Sequence, residues 1–354
     1  MARALRLAEC GLYTTSPNPR VGCVLVKDDV VVGEGWHEHA GKPHAEVIAL
    51  NVAGKSARGS TAYVTLEPCS HHGRTPPCAD ALIEAGIARV VLAAQDPNPV
   101  VAGGGIAKLH AAGIEVNQGL MEAAARELNI GFFSRMTRGT AWVRSKIAMS
   151  LDGRTALANG ASQWITGEYA RLDVQHWRAR SCAVLTGIAT VLADNAQLNV
   201  RDIMTDRQPL RAVLDSRMRI PLTARILSGN NVLIYTAVHD AEKSAALETA
   251  GATVCVLPDA NGQVDLAAML HDLAQRGCNE VLLEAGGVLN GAMLRAGLVD
   301  ELLLYIAPQL LGDLSRGMAQ LGELTGLDQR INLEWQDIRQ VGNDLRVTVK
   351  VKNV

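Results

Sequence analysis

The chain has 354 residues, of which 48% are hydrophobic and 20% charged, and its net charge is −2. This length predicts two domains with separate cores; the near-neutral charge and 3% aromatic content exclude a broad nucleic-acid surface, which needs many phosphate contacts and stacking platforms. Seven scattered cysteines exclude a secreted disulfide framework, Arg3, Arg6 and Glu9 interrupt any signal-peptide pattern, and no apolar run approaches the ~18 residues of a membrane span, so a cytoplasmic protein is expected.

In chain order, the first half predicts a helix near Arg3–Leu12 and a hairpin of Val21–Val26 with Val30–Gly35, turning at Asp28-Asp29. A helix follows Pro43, then strand Thr61–Leu66, a helix after Pro76, and strand Arg89–Ala94. A helix at Ile106–Ala112, a short strand Ile114–Val116 and a final helix Met121–Met136 complete it. Such alternation predicts parallel pairing in a layered α/β domain. Thr137–Thr140 reads as a linker, giving domains 1–138 and 142–354. The chain starts almost inside its first helix, so either the start is internal or any preceding segment is dispensable.

The second half also reads as α/β. Strand Trp142–Met149 is followed by short apolar strands at Cys182–Thr186, Arg211–Leu214, Val232–Tyr235, Thr253–Leu257 and Glu280–Glu284. Strand-like runs Glu301–Ala307, Trp335–Val341 and Leu345–Val351 end the chain, the last two joined at Gly342-Asn343-Asp344. Glu284 runs into Ala285-Gly286-Gly287-Val288-Leu289-Asn290-Gly291. Glycines at a strand-to-helix turn let backbone N–H groups approach a phosphate, although the spacing is not the Rossmann fingerprint. Gly103-Gly104-Gly105 reads as an ordinary loop before a helix.

His44, Cys69 and Cys78 can make three ligands to zinc and leave the fourth tetrahedral position open, as in a catalytic site. His44 and Glu46 fall in the first turn of the helix after Pro43 and face one cleft. Glu46 is then placed to carry protons between water and a leaving amine, the arrangement of zinc-dependent base deaminases. Cys69 leaves the end of a strand and Cys78 opens a helix, where the dipole favours a thiolate. The alternatives are buried thiols with a capping histidine, or a structural zinc completed by His71 or His72.

The usual deaminase signature ends in P-C-x-x-C; here Pro68-Cys69-Ser70-His71-His72-Gly73-Arg74-Thr75-Pro76-Pro77-Cys78 gives a longer interval. With Pro17-Asn18-Pro19-Arg20-Val21-Gly22, Gln95-Asp96-Pro97-Asn98-Pro99, Ser150-Leu151-Asp152-Gly153-Arg154 and Ser162-Gln163-Trp164-Ile165-Thr166, it resembles the RibD family, the bifunctional deaminase–reductases of riboflavin biosynthesis. The resemblance spans both halves. It implies a cytidine-deaminase-like α/β/α domain followed by a dihydrofolate-reductase-like α/β domain.

The resemblance also implies a zinc-dependent deamination of 2,5-diamino-6-(5-phosphoribosylamino)pyrimidin-4(3H)-one and an NADPH-dependent reduction of the product's ribosyl group. Deaminase substrate positions match Asn18, His37, Asp96 and Asn98, with Arg74 expected at the substrate phosphate, where a guanidinium binds as a fork. Cofactor positions match Ala148, Trp164, Thr190, Asp194, Ser216 and the diphosphate loop Gly286, Gly287, Val288, Leu289, Asn290, Gly291 and Ala292. Reductase substrate positions match Ser162, Arg178, Leu198, Arg201 and Glu284. Arg178 and Arg201 are expected to hold the ribose phosphate, Glu284 to accept from sugar hydroxyls, and Asp194 to be a candidate proton source. The resemblance implies a homo-oligomer assembled through the reductase half. No 2′-phosphate-binding arginine stands out in the sequence.

Overall fold

Asp28 and Asp29 both adopt left-handed backbone, with φ of 48° and 60°, and close the first hairpin in the twist that two-residue turns favour. The structure is a computed structural model that describes residues 1–70 and 77–352. It divides into two units, Met1–Thr140 and Ala141–Val354.

The first unit runs α1 (Ala2–Glu9), β1 (Gly22–Lys27), β2 (Val30–Trp36), α2 (Ala45–Ala53), β3 (Thr61–Leu66), α3 (Cys78–Glu84), β4 (Arg89–Ala94), α4 (Gly104–Ala111), β5 (Glu115–Asn117), α5 (Glu122–Leu128) and α6 (Ile130–Arg138). Its sheet order is β2-β1-β3-β4-β5. Strands β3, β4 and β5 are parallel, as alternation predicts, but β1 pairs antiparallel with both β2 and β3. Cys23, Leu25, Val64, Val90 and Leu92 pack against Ala45, Ala49 and Leu82 in its core.

Two glycines of β2 bring α2 close to the sheet. A Cβ on Gly33 would lie 2.3 Å from the Ala49 carbonyl oxygen, and one on Gly35 would lie 2.7 Å from Ile48. The start of α2, with His44 and Glu46, is thereby seated directly on the sheet.

The expected helix Met121–Met136 is two helices, broken at Asn129. The Asn129 amide accepts the Arg20 N–H (2.8 Å) and donates to the Arg20 carbonyl (2.8 Å), a strand-like exchange. That tertiary contact competes with the helix, as short polar amides readily do. Because α6 continues to Arg138, the expected linker is shorter than Thr137–Thr140.

The second unit contains β6 (Trp142–Ser150), β7 (Arg154–Ala156), α7 (Glu168–Arg180), β8 (Ala183–Gly187), α8 (Ile188–Asp194), β9 (Leu210–Leu214), β10 (Val232–Thr236), α9 (Ala241–Thr249), β11 (Ala252–Val256), α10 (Leu266–Gln275), β12 (Glu280–Leu283), α11 (Gly287–Arg295), β13 (Glu301–Ala307), β14 (Arg316–Gly317), β15 (Asn332–Val341) and β16 (Asp344–Lys352). Nine strands form one sheet in the order β11-β10-β9-β8-β12-β6-β13-β16-β15. Pairing is parallel from β11 to β13 and antiparallel for β16 and β15. Strands β7 and β14 form a small antiparallel pair with no counterpart among the predicted elements.

Both faces of the parallel region are covered, which explains its unbroken apolar strands. Leu185, Leu233, Val281 and Leu283 point into one core, while Val184, Ile234 and Leu282 point into the other. The carboxyl ends of β8, β9 and β12 open into one cleft, where open α/β sheets bind ligands.

Candidate metal centre and cofactor cleft

His44 is the N-cap of α2, and Glu46 lies in its first turn, 3% exposed. Cys69 stands just past β3, and Cys78 is the first residue of α3, preceded by Pro77. The ligand atoms of these three metal-binding side chains all lie within 4.8 Å of one another. His44 Nδ1 is 3.2 Å from Cys78 Sγ and 3.6 Å from Cys69 Sγ, and the Cys78 N–H donates to Cys69 Sγ (3.3 Å).

The electrostatics fit a cation. The contact with Cys78, against burial and with help from His44, lowers the Cys69 thiol to about 4. The same contact, reinforced by burial, raises Cys78 strongly. Two thiols this close resist ionising together, and a divalent cation relieves that conflict. Two sulfurs and one imidazole nitrogen suit zinc, and three donors match a catalytic site. Among the described residues no fourth His, Cys, Asp or Glu joins the group. His71, His72 and Arg74 lie outside the described residues. Burial raises the Glu46 carboxyl to about 7, with His44 opposing, so Glu46 can hold or release a proton near neutrality.

Two of the expected substrate residues adjoin this centre. The His37 ring meets His44 edge-on at 5.1 Å between centroids. His37 Nδ1 is 3.1 Å from the Pro43 carbonyl, which only accepts, so Nδ1 carries the proton and Nε2 accepts from Asn18 Nδ2 at 3.0 Å. Asp96 and Asn98 lie in the loop after β4. Asp96 Oδ1 accepts the Asn98 N–H (2.8 Å), and Asn98 Oδ1 accepts the Val100 N–H (3.1 Å).

The second unit holds a cleft of about 1710 Å³. Ala148, Ser162, Trp164, Thr190, Asp194, Leu198, Arg201 and Ser216 all line it, as do Arg178, Glu284, the stretch 286–289 and Ala292. Asn290 and Gly291 do not. Asn290 is buried and bonds to Ser145, Ala285 and Met318, and a Cβ on Gly291 would lie 2.1 Å from the Gln320 carbonyl. In α11 these two residues face the core. Gly286 caps the helix, and a Cβ there would meet nothing within 4 Å. The first N–H groups of α11 therefore meet the open cleft, which suits a cofactor phosphate.

Arg178 forms a buried fork with Glu284, Nε–Oε1 2.6 Å and Nη2–Oε2 2.9 Å, and donates from Nη1 to the Asn199 carbonyl (3.0 Å). Three of its donors are thus committed within the protein. Arg201 has a half-exposed side chain and is the more available of the two for a phosphate. Asp194 is exposed at the end of α8.

The chain is similar throughout to proteins of known name. A family model described as the RibD C-terminal domain matches residues 141–347. The riboflavin biosynthesis protein RibD of Escherichia coli (strain K12) is 50% identical, over 98% of this chain and 96% of that protein. The chain belongs to the RibD family. Residues 1–94 match the zinc-binding region of cytidine and deoxycytidylate deaminases. Among solved structures, one of Acinetobacter baumannii RibD superposes with a TM-score of 0.93 at 47% identity, covering 99% of this chain and 98% of that one. A Thermotoga maritima structure named as a diaminohydroxyphosphoribosylaminopyrimidine deaminase/5-amino-6-(5-phosphoribosylamino)uracil reductase gives 0.89 at 34% identity, covering 99% and 97%. The fold class expected for a RibD chain, deaminase-like α/β followed by reductase α/β, is the one found.

Several cleft residues have no counterpart in the sequence-based expectations. Lys146 lines the cleft from the middle of β6. Burial lowers its pKa, Glu284 opposes and Arg178 adds to the lowering. Arg171 stacks on Trp164 at 4.6 Å. Arg217, Arg219 and Arg225 join Ser216 in the lining. Alternation within Trp142–Met149 signals a cleft-facing charge only once the neighbouring strands are known.

Proposed function

We propose that this protein catalyses two consecutive steps of riboflavin biosynthesis. Residues 1–138 remove the 2-amino group of 2,5-diamino-6-(5-phosphoribosylamino)pyrimidin-4(3H)-one as ammonia. Residues 142–354 reduce the ribosyl group of the resulting 5-amino-6-(5-phosphoribosylamino)uracil to a ribityl chain. The observation that carries this reading is the convergence of His44, Cys69 and Cys78 beside buried Glu46, in a chain that aligns end to end with a relative named for both activities.

His44 Nδ1 and the Cys69 and Cys78 sulfurs would hold zinc, which when bound activates water as a Lewis acid. Glu46 takes a proton from the attacking water and delivers it to the leaving amine. A carboxyl near 7 is suited to both transfers. Asn18 and His37 orient the pyrimidine beside Glu46, Asp96 and Asn98 bind it from the following loop, and Arg74 meets the phosphate.

In the reductase cleft, bound NADPH would supply the hydride needed at C1′ of the opened ribosyl group. The amino end of α11 at Gly286–Leu289 would hold the cofactor diphosphate, and Ala148, Trp164, Thr190 and Asp194, which line the same cleft, would hold the rest of the cofactor. The basic end formed by Arg217, Arg219 and Arg225 beside Ser216 suits the extra 2′-phosphate of NADPH. Arg201 binds the substrate phosphate, with Ser162 and Leu198 alongside. Arg178 orients Glu284, which accepts from sugar hydroxyls. Lys146 is the better proton donor to the reduced sugar than Asp194, because it is half-buried beside Glu284 and its acidity is raised by burial.

The protein is a cytoplasmic enzyme acting on small phosphorylated molecules, without nucleic-acid partners. This agrees with its charge of −2, and no described helix is long and apolar enough to cross a membrane. It assembles as a homo-oligomer through the reductase half. Edge strand β15 supports this, since Trp335 is 70% and Ile338 58% exposed on a ten-residue strand with one neighbour. Sedimentation of Trp335→Lys checks the oligomer.

Mass spectrometry of the diaminopyrimidine substrate, incubated with and without NADPH, tests the whole reading. The deaminated product alone is expected without cofactor, and the ribityl product with it. Unchanged substrate in both incubations would refute it.

A further inference from the structure

Glu67 and the Gly103-Gly104-Gly105 run are features of the first unit that neither the metal centre nor the substrate reading uses, and they meet. Glu67 is buried, and its carboxylate accepts four backbone N–H groups from one stretch of chain. Oε2 accepts from Asp96 (3.3 Å) and Gly103 (3.1 Å), and Oε1 accepts from Gly105 (2.9 Å) and Ile106 (3.2 Å). These donors bracket the loop that leaves β4 and enters α4, the loop that carries Asp96 and Asn98.

The glycines allow the approach. A Cβ on Gly105 would lie 2.0 Å from the Pro68 carbonyl oxygen, and one on Gly104 would lie 2.5 Å from Ser70 Oγ. Gly103 is left-handed, with φ of 77°. The same short segment continues from Glu67 through Pro68 to Cys69, whose sulfur belongs to the metal centre.

We propose that Glu67 is a positioning residue that keeps Asp96 and Asn98 in register with Cys69, so that the metal centre and the substrate loop are built on one segment. The proposal rests on the deaminase reading above. A carboxylate is required because it alone offers acceptors on both arms. In Glu67→Gln one arm becomes an amide NH₂, which confronts two backbone donors instead of accepting from them. The loop then loses its anchor, whereas Cys69 keeps its bond from the Cys78 N–H. Small displacements of binding groups are costly to catalysis even when the chemistry is untouched.

The test uses Glu67→Gln and, separately, Gly105→Ala in the full chain. For both, the KM for the diaminopyrimidine is expected to rise at least about tenfold while kcat changes less than about threefold. Zinc content and reduction of pre-deaminated substrate stay unchanged, and the amides of residues 95–106 exchange faster by hydrogen-exchange mass spectrometry. A purely structural role would instead lower the active fraction, reducing apparent kcat at unchanged KM, and that result overturns the proposal. Unchanged exchange at 95–106 or loss of zinc overturns it as well. If Glu67→Gln does not fold, Gly105→Ala decides by the same readings. If the wild-type protein releases no ammonia, the deaminase reading falls, and the exchange measurement still decides whether Glu67 anchors the loop.

Discussion

Arg178 and Glu284 face each other as a buried two-pronged pair at the floor of the reductase cleft, with contacts of 2.6 and 2.9 Å. Burial alone would raise the Glu284 carboxyl, but the Arg178 charge and hydrogen bonds, with Lys146, hold it below its ordinary 4.5. A carboxyl depressed on folding stabilises above its unfolded pKa and loses that contribution as pH falls through the folded value. The thermal stability of the reductase half should therefore fall progressively below about pH 4.5. Glu284→Gln should flatten that acid limb and cost about 3 kcal/mol at neutrality, because Arg178 is left buried without a charge partner. An unchanged acid limb in the variant would contradict this.

Glu46→Gln should reduce ammonia release at least about 100-fold, since the amide cannot shuttle protons. Zinc content should match the wild type, because Glu46 is not among the three converging ligands. Reduction of pre-deaminated substrate should be unaffected. Colorimetric ammonia assay, metal analysis and NADPH oxidation on one preparation separate these outcomes.

Treatment with a strong chelator should abolish deamination and spare reduction, because the two sites use different groups. Cys69→Ser should copy the chelator and leave the protein without zinc, since a hydroxyl replaces a low-pKa thiol. Zinc retained at wild-type level in Cys69→Ser would count against the metal centre.

Lys146→Met keeps an unbranched stem of similar length and removes the ammonium group with its protons. Reduction should fall at least about 100-fold with the KM for NADPH altered less than about threefold. Deamination should be normal. The wild-type reductase rate should fall on the alkaline side at a pH lower than an ordinary lysine would give, because burial lowers the Lys146 pKa.

Arg144→Met should destabilise the second unit without touching the cleft. Arg144 is buried between Glu301 (2.8 Å) and Glu280 (3.1 Å) and stacks on Trp177 at 4.5 Å. Removing the cation takes a charge partner from both carboxylates, an expected loss of about 3 kcal/mol in chemical denaturation. Arg180 still pairs with Glu280 (2.7 Å), so Glu301 is the more exposed to the loss. The kcat of both reactions should survive at permissive temperature.

Strands Thr61–Leu66, Arg89–Ala94 and Glu301–Ala307 have the same bounds in sequence and structure, because each is an apolar run closed by turn or helix-start residues. Local pattern also suffices for the starts of α2 and α3, with proline one or two residues ahead. It fails at Asn129, whose competing partner Arg20 lies 109 residues away. It fails for Asn290 and Gly291 too, since a glycine-rich turn does not say which residues of the ensuing helix face the cleft.

By itself the sequence determined the family, the two halves and the order His44, Glu46, Cys69, Cys78, because the ligand types and their spacing follow directly from chain order. Only the tertiary structure decided that Glu67 grips the Asp96–Ile106 loop, that Arg178 is committed to Glu284, and that Lys146 stands in the cleft. Each of these depends on what a buried charge meets across the fold. Burial makes an unpaired charge costly, so its partner is chosen by the packed neighbours and not by the adjacent residues.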